Sequence, residues 1–191
     1  EQVPPSKRPV SCLMITMLIF GVISLILTAT ATGSEWSHFE YELVVKNDNC
    51  VQSFYLKNVK QHGDGCLETW TKSYDEYLDT WLGSCRDNIA QKFKDAAEMA
   101  KGSMFTAYLF VIAQIVLSIV TMVNRMHMYR LGLLQIIVYF VGVALIPLAA
   151  NGWSGEAPES DDISDCDAFM RSWTYFRVYV GPVLLWMNAG F

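Results

Sequence analysis

Long stretches without a single charged residue alternate with polar segments along this chain. Val10–Ser34, Gly102–Asn124 and Leu131–Gly155 are three such stretches. Each exceeds the roughly 20 residues that carry a helix across the hydrocarbon core of a bilayer. A fourth runs from Val178 to Phe191. The pattern predicts transmembrane helices at 11–33, 104–124, 131–151 and 175–191. Between them lie an N-terminal tail at 1–10, a first loop at 34–103, a turn at 125–130 and a second loop at 152–174. The last helix is short, since the stretch from Val178 rises only about 21 Å, and the chain is expected to continue beyond it. A cleavable signal peptide is the alternative for the first stretch, with Lys7 and Arg8 before it and Ala29-Thr30-Ala31 near its end.

The first loop changes period along its length. Phe39, Tyr41, Leu43 and Val45 recur every second residue, which predicts a strand. Ser53–Lys60 is a second β-rich run, and Asn47-Asp48-Asn49 and His62-Gly63-Asp64-Gly65 carry turn chemistry. Beyond Cys85 the spacing becomes three or four: Ile89, Phe93, Ala97, Ala100 and Met104 share one helix face. No proline separates them from the second apolar stretch. One helix from about residue 87 to 124, about 57 Å long, is therefore expected to project from the bilayer.

Charge orients the chain. Lys7, Arg8, Arg125 and Arg130 flank the spans on one side, with Glu1 the one acid there. The other eighteen of the nineteen acids fall in the two loops. The positive-inside rule then predicts a cytoplasmic N-terminus and two extracellular or lumenal loops, and the chain is expected to be a multi-pass protein of the plasma membrane. A net charge of −5 argues against a nucleic-acid partner. Cys50, Cys66, Cys85 and Cys166 all lie on the oxidising side, which predicts two disulfides in any of three pairings. Cys12 stands at the mouth of the first span, as a packing residue or a palmitoylation site.

Little here carries chemistry. His38, His62 and His127 have no ligand-spaced partners, so neither a metal nor another cofactor is expected. No phosphate loop or nucleophile elbow occurs, and no enzyme is inferred. The first three spans contain no ionisable side chain. Gln114 and Gln135 are their most polar groups, expected to hydrogen-bond between helices. Glu156, Glu159, Asp161, Asp162, Asp165 and Asp167 form an acidic cluster that reads as a solvated loop, with cation binding the sharper alternative. Trp36, Trp153, Trp173 and Tyr175 are expected to anchor span ends at the membrane interface.

The order of a long first loop, a tiny turn and a short second loop resembles the claudin-like four-transmembrane superfamily. Local features are similar as well: Trp36 just after the first span, Trp81-Leu82-Gly83-Ser84-Cys85, Leu145-Ile146-Pro147 followed by Trp153, and Gly181-Pro182-Val183-Leu184-Leu185-Trp186. The first loop differs in holding three cysteines, and Cys166 has no counterpart. The MARVEL and synaptophysin-like tetraspans are the rival resemblance. The expected fold is an all-α membrane protein: a four-helix transmembrane bundle with a small disulfide-pinned extracellular β-sheet and an extracellular extension of the second helix.

The expected function is non-enzymatic. The chain would act as a scaffold, adhesion or barrier-type protein, with the lipid bilayer and other membrane proteins as its partners. Those proteins are either further copies of itself, in a homo-oligomer, or a larger channel or receptor that it serves as auxiliary subunit. A self-assembled pore is a third reading. Recognition is expected at a sheet edge around Tyr41, Leu43, Val45, Phe54 and Leu56, beside the acidic loop, because edges pair readily with other strands.

Overall fold

The computed structural model describes residues 12–43, 48–80, 84–123, 128–159, 162, 170–177 and 179–189. In chain order the elements are α1 (Cys12–Gly33), β1 (Ser37–Leu43), β2 (Asn49–Phe54), β3 (Asn58–His62), β4 (Trp70–Ser73) and α2 (Tyr74–Thr80). They are followed by α3 (Ser84–Val123), α4 (Met128–Glu156), β5 (Met170–Phe176) and α5 (Val180–Ala189).

Among the described residues, three helices are long and apolar enough to cross a membrane: Ile15–Gly33, Asn88–Val123 and Leu131–Glu156. Only 17%, 28% and 29% of their most apolar windows are buried inside the protein. Their hydrophobic side chains therefore mostly face outward, Ile19, Ile26, Leu109, Ile112, Ile137 and Phe140 among them. Such a surface suits a hydrocarbon solvent and not water. α3 packs along both α1 and α4, and α5 packs against both as well. Small residues permit the close approaches: a Cβ at Gly142 would press on Phe110, and one at Gly152 would meet Met99.

The long helix expected from about residue 87 is present as α3, 40 residues without a break. Its buried stripe, Phe93, Ala97, Ala100, Met104, Ala107 and Val111, repeats at three- and four-residue spacing. It runs from the sheet into the bundle, so one helix serves both halves of the molecule.

The sheet is larger than expected, and "all-α" understates it. Five antiparallel strands lie in the order β4-β3-β2-β1-β5. The run Ser53–Lys60 is not one strand. It folds back at Leu56-Lys57, where Tyr55 N–H donates to the Asn58 carbonyl at 2.9 Å and Leu56 is buried. Leu56 nevertheless keeps the inward orientation of Phe54 two residues earlier, so the hairpin turn adds to the core that the strand begins. β5 arises from the second loop and crosses the expected loop–helix boundary at 174/175. It pairs with β1 from His38↔Phe176 to Leu43↔Met170, with an irregularity at Glu42/Leu43. Both inter-helix segments thus build one sheet.

The sheet's inner face packs on α2 and α3. Phe54 stacks on Phe93 with centroids 3.7 Å apart, and Tyr77 meets Phe54 edge-on. Tyr77 hydroxyl donates to Gln52 Oε1, and Gln52 Nε2 donates to Gln61 Oε1. These bonds satisfy polar groups in the middle of an aromatic core.

Candidate interaction surface

No reaction centre is assembled among the described residues, and no group of three or more His, Cys, Asp or Glu among them could hold a metal ion. What the fold presents is the sheet and the segment after α4.

The expected edge at β1 and β2 does not exist, because β5 covers β1 and β3 covers β2. The sheet's edges are β4 and β5. Tyr41 is 9% exposed, and Phe54 and Leu56 are 1% exposed. These three side chains are core residues, unavailable to a partner in this conformation. The alternation that marks them as strand residues also marks the face that α2 and α3 occupy. Leu43 ends β1, with its side chain outside the description, and Val45 lies outside the described residues altogether.

The open face carries His38, Glu40, Glu42, Asn49, Val51, Lys60, His62, Thr71, Thr174 and Phe176, in register across the strands. His38 is the most embedded of its ionisable groups. Its Nδ1 lies 3.1 Å from Glu35 Oε1 and its Nε2 4.0 Å from Glu40 Oε2. Its ring stacks on Tyr179 at 5.6 Å. Lys60 Nζ lies 4.8 Å from the Tyr55 ring centroid. The Tyr55 phenol is pushed up by partial burial and by the nearby Glu35 carboxylate.

Two acids of the cluster, Asp162 and Glu159, pair with bases. Asp162 Oδ1 accepts from Lys92 Nζ at 2.7 Å, and its Oδ2 accepts from the Glu159 amide at 2.8 Å. These two bonds, Lys92 first, hold the Asp162 carboxyl below the usual carboxylate range. Glu159 pairs with Arg177 at 3.2 Å, and Arg177 Nη2 also donates to the Ser154 carbonyl. Glu156 is exposed. Asp161, Asp165 and Asp167 lie outside the described residues.

Cys50 and Cys66 form a disulfide. It closes the β2–β3 hairpin across the turn at Gly63, whose φ is +119°, and Gly65, where a Cβ would collide with the Asp48 carbonyl. Cys85 is the second residue of α3, its side chain and all of Cys166 lying outside the described residues. Cys12 is a free, exposed cysteine.

Two of the tryptophans expected at the interface, Trp36 and Trp153, are buried where sheet and bundle meet, and the Trp173 side chain lies outside the described residues. Trp36 and Trp153 are both 0% exposed, with ring centroids 5.4 Å apart. Trp36 Nε1 donates to the Ala31 carbonyl and Trp153 Nε1 to Ser37 Oγ. Tyr175 joins the same core edge-on to Phe93, and burial pushes its phenol up to about 12. The sequence reading missed α2, β4 and the Arg177 contacts. α2 had a legible signal: Ser73 and Glu76 form a reciprocal capping box, with Ser73 N–H to Glu76 Oε2 at 2.9 Å and Glu76 N–H to Ser73 Oγ at 3.3 Å.

No protein-family model matches this chain, and no curated protein matches its sequence.

Proposed function

We propose that this chain is a non-enzymatic, four-span protein of the plasma membrane. Its N-terminus lies in the cytoplasm and its sheet domain lies outside the cell. There it serves as a scaffold or adhesion and barrier-type protein, through lateral association and contacts of the sheet. The observation that carries this reading is the joint sheet. Both segments that leave the bundle at one end combine into a single five-stranded body with a disulfide, an open polar face and two uncovered edge strands, β4 and β5. A polar, disulfide-closed body seated on apolar helices suits recognition. The resemblance to claudin-like proteins agrees with this role.

Auxiliary service to a channel or receptor is the second reading, favoured by the same open face resting on a larger partner. Native mass spectrometry and pull-down in mild detergent separate the two. A scaffold forms oligomers of this chain alone, whereas an auxiliary subunit is retained with one unrelated large membrane protein. Monomers without any retained partner, from correctly disulfide-bonded material, would overturn both.

A further inference from the structure

We propose that the crevice between α1, α3, α4 and the end of α5 is a binding site for a single-chain lipid carrying a hydroxyl group. The inference rests on insertion of the helices in a bilayer and is independent of the role of the sheet.

The crevice encloses about 220 Å³. Its walls are Met17 and Phe20 of α1, Phe110 and Val111 of α3, and Val138 and Ile146 of α4. Gly21 and Gly142 line it too, and their missing side chains keep it wide. Two amides stand in this apolar surface: Gln114, 5% exposed, and Asn188, 3% exposed. Each has a buried side-chain oxygen without a hydrogen-bond partner, Gln114 Oε1 and Asn188 Oδ1. The orientation of Asn188 is fixed. Its Nδ2 donates to the Ser24 carbonyl at 3.3 Å and lies 3.0 Å from Thr28 Oγ1. A backbone carbonyl only accepts, so nitrogen must face Ser24 and the oxygen is the atom left over.

Two unsatisfied acceptors beside a mostly apolar space, whose other polar lining is the hydroxyl side chains of Thr16, Ser24 and Tyr139, call for a donor. Ester and ether lipids offer no donor along their tails, and a plain alkane offers none at all. A hydroxyl satisfies one oxygen directly. The space exceeds the roughly 150 Å³ cavity that admits benzene, yet falls short of the roughly 300–1,000 Å³ of pockets for drug-sized molecules. One slender aliphatic chain fits that range better than a rigid fused-ring lipid.

The test uses the whole chain in phosphatidylcholine liposomes and two photoactivatable probes, a diazirine-bearing hexadecanol and its methyl ether. Labelled peptides are mapped by mass spectrometry. The alcohol is expected to label the segments around Phe20, Phe110 and Tyr139, and the ether to label them about fivefold less, the loss of one hydrogen-bond donor. Of Gln114→Leu and Asn188→Leu, made separately, the one that removes the acceptor used should lower alcohol labelling to the ether level, while neither alters ether labelling; alcohol labelling unchanged by both overturns the proposal. An intact Cys50–Cys66 bond and a monodisperse profile certify the fold of each variant. Equal labelling by the two probes overturns the proposal and leaves water as the occupant of the polar end. Absence of label from these segments also overturns it, as does their cross-linking to a protein helix in place of the lipid.

Discussion

Gly181 lies against the indole of Trp36 so closely that a Cβ on the glycine would overlap Nε1, Cδ1 and Cε2 of the ring. The backbone completes the contact, with Gly181 N–H donating to the Glu35 carbonyl at 2.8 Å. The exit of α1 is thereby locked to the start of α5, beneath a sheet whose outermost strand leads into that helix. Gly181→Ala is expected to destabilise the protein by about 1–3 kcal/mol, the cost of overpacking a closed site. Thermal unfolding in detergent reads it, and a midpoint unchanged from wild type would refute this account of the junction.

Gly102 is the opposite case. It sits inside α3, exposed, and an added Cβ would meet nothing within 4 Å. Glycine in a helix interior costs about 1 kcal/mol relative to alanine. Gly102→Ala should therefore raise stability by about 0.5–1 kcal/mol through backbone entropy alone. If the thermal midpoint falls instead, this part of α3 is not a continuous helix in the folded protein.

The disulfide framework gives a third expectation. Cys50–Cys66 closes a loop with a sequence separation of 16, and a crosslink of that span stabilises by about 3 kcal/mol. Cys50→Ala should cost about that much. With this pair formed, oxidation of all four loop cysteines leaves Cys85–Cys166 as the remaining bond. The reach is adequate. Lys92 lies two helical turns past Cys85, about 10 Å along α3, and its partner Asp162 is four residues from Cys166, about 13 Å of extended chain. Non-reducing peptide mapping checks both, and free thiols at Cys85 and Cys166 would exclude the second pair.

The sequence reveals those features that depend on neighbours along the chain. The first three apolar stretches, the three-and-four stripe from Phe93 to Met104 and the turn glycines at 63 and 65 each declare a local requirement, and each sits as its pattern implies. The misplaced features depend on pairing across the chain. Tyr41 looks like an edge residue until β5, some 130 residues further on, is seen to cover β1. Ser172 and Thr174 alternate with Trp173 and Tyr175. That is a strand period, but one short enough to be absorbed into a loop and a helix start. Trp36 and Trp153 carry no local sign of meeting each other. The crevice amides are legible only as polar residues in apolar stretches, since the empty space beside them is a property of four helices at once.

Acid should loosen the contact between the second inter-helix segment and α3. Lys92, then the Glu159 amide, hold the Asp162 carboxyl below its ordinary range. Lys94 does the same to Asp75, which lies at the surface. A carboxyl depressed in the folded state stabilises above its unfolded pKa, about 3.9 for Asp. That stabilisation is lost as pH falls through the lower folded value. The Lys94 ammonium is raised by Asp75, so its share is complete below its unfolded value and is lost only at strongly alkaline pH. The thermal midpoint should change little through these two pairs from pH 7 to 5, then fall below about pH 4. Asp162→Asn should lower the midpoint at pH 7 and flatten the acid limb. An unaltered limb in that variant would show that the Lys92 contact makes no difference to the fold.

The last expectation concerns where recognition resides. Adding charge at Leu56 cannot test it, because Leu56 is buried and the variant would report on folding. The edge strands and the open face are the right targets. Thr71 in β4 and Thr174 in β5 are exposed and belong to the two uncovered edges. Lysine at either position puts an ammonium on the rim of that edge and disfavours pairing with another strand. Glu40→Gln and Glu156→Gln remove exposed or half-exposed carboxylates from the open face and from the segment after α4, leaving the Asp162 and Glu159 ion pairs intact. If the sheet domain carries the contacts, the edge variants or the neutralised pair should reduce oligomer or partner retention by about tenfold, the loss expected for a contact of about 1.4 kcal/mol. Surface amount and the Cys50–Cys66 bond should stay normal. Unchanged retention in all of these variants, at normal surface amount, would move the contacts to the apolar outward faces of α1, α3 and α4. Those faces associate by van der Waals packing alone, and substitutions at Ile19, Leu109 and Ile137 would then be the ones to alter assembly.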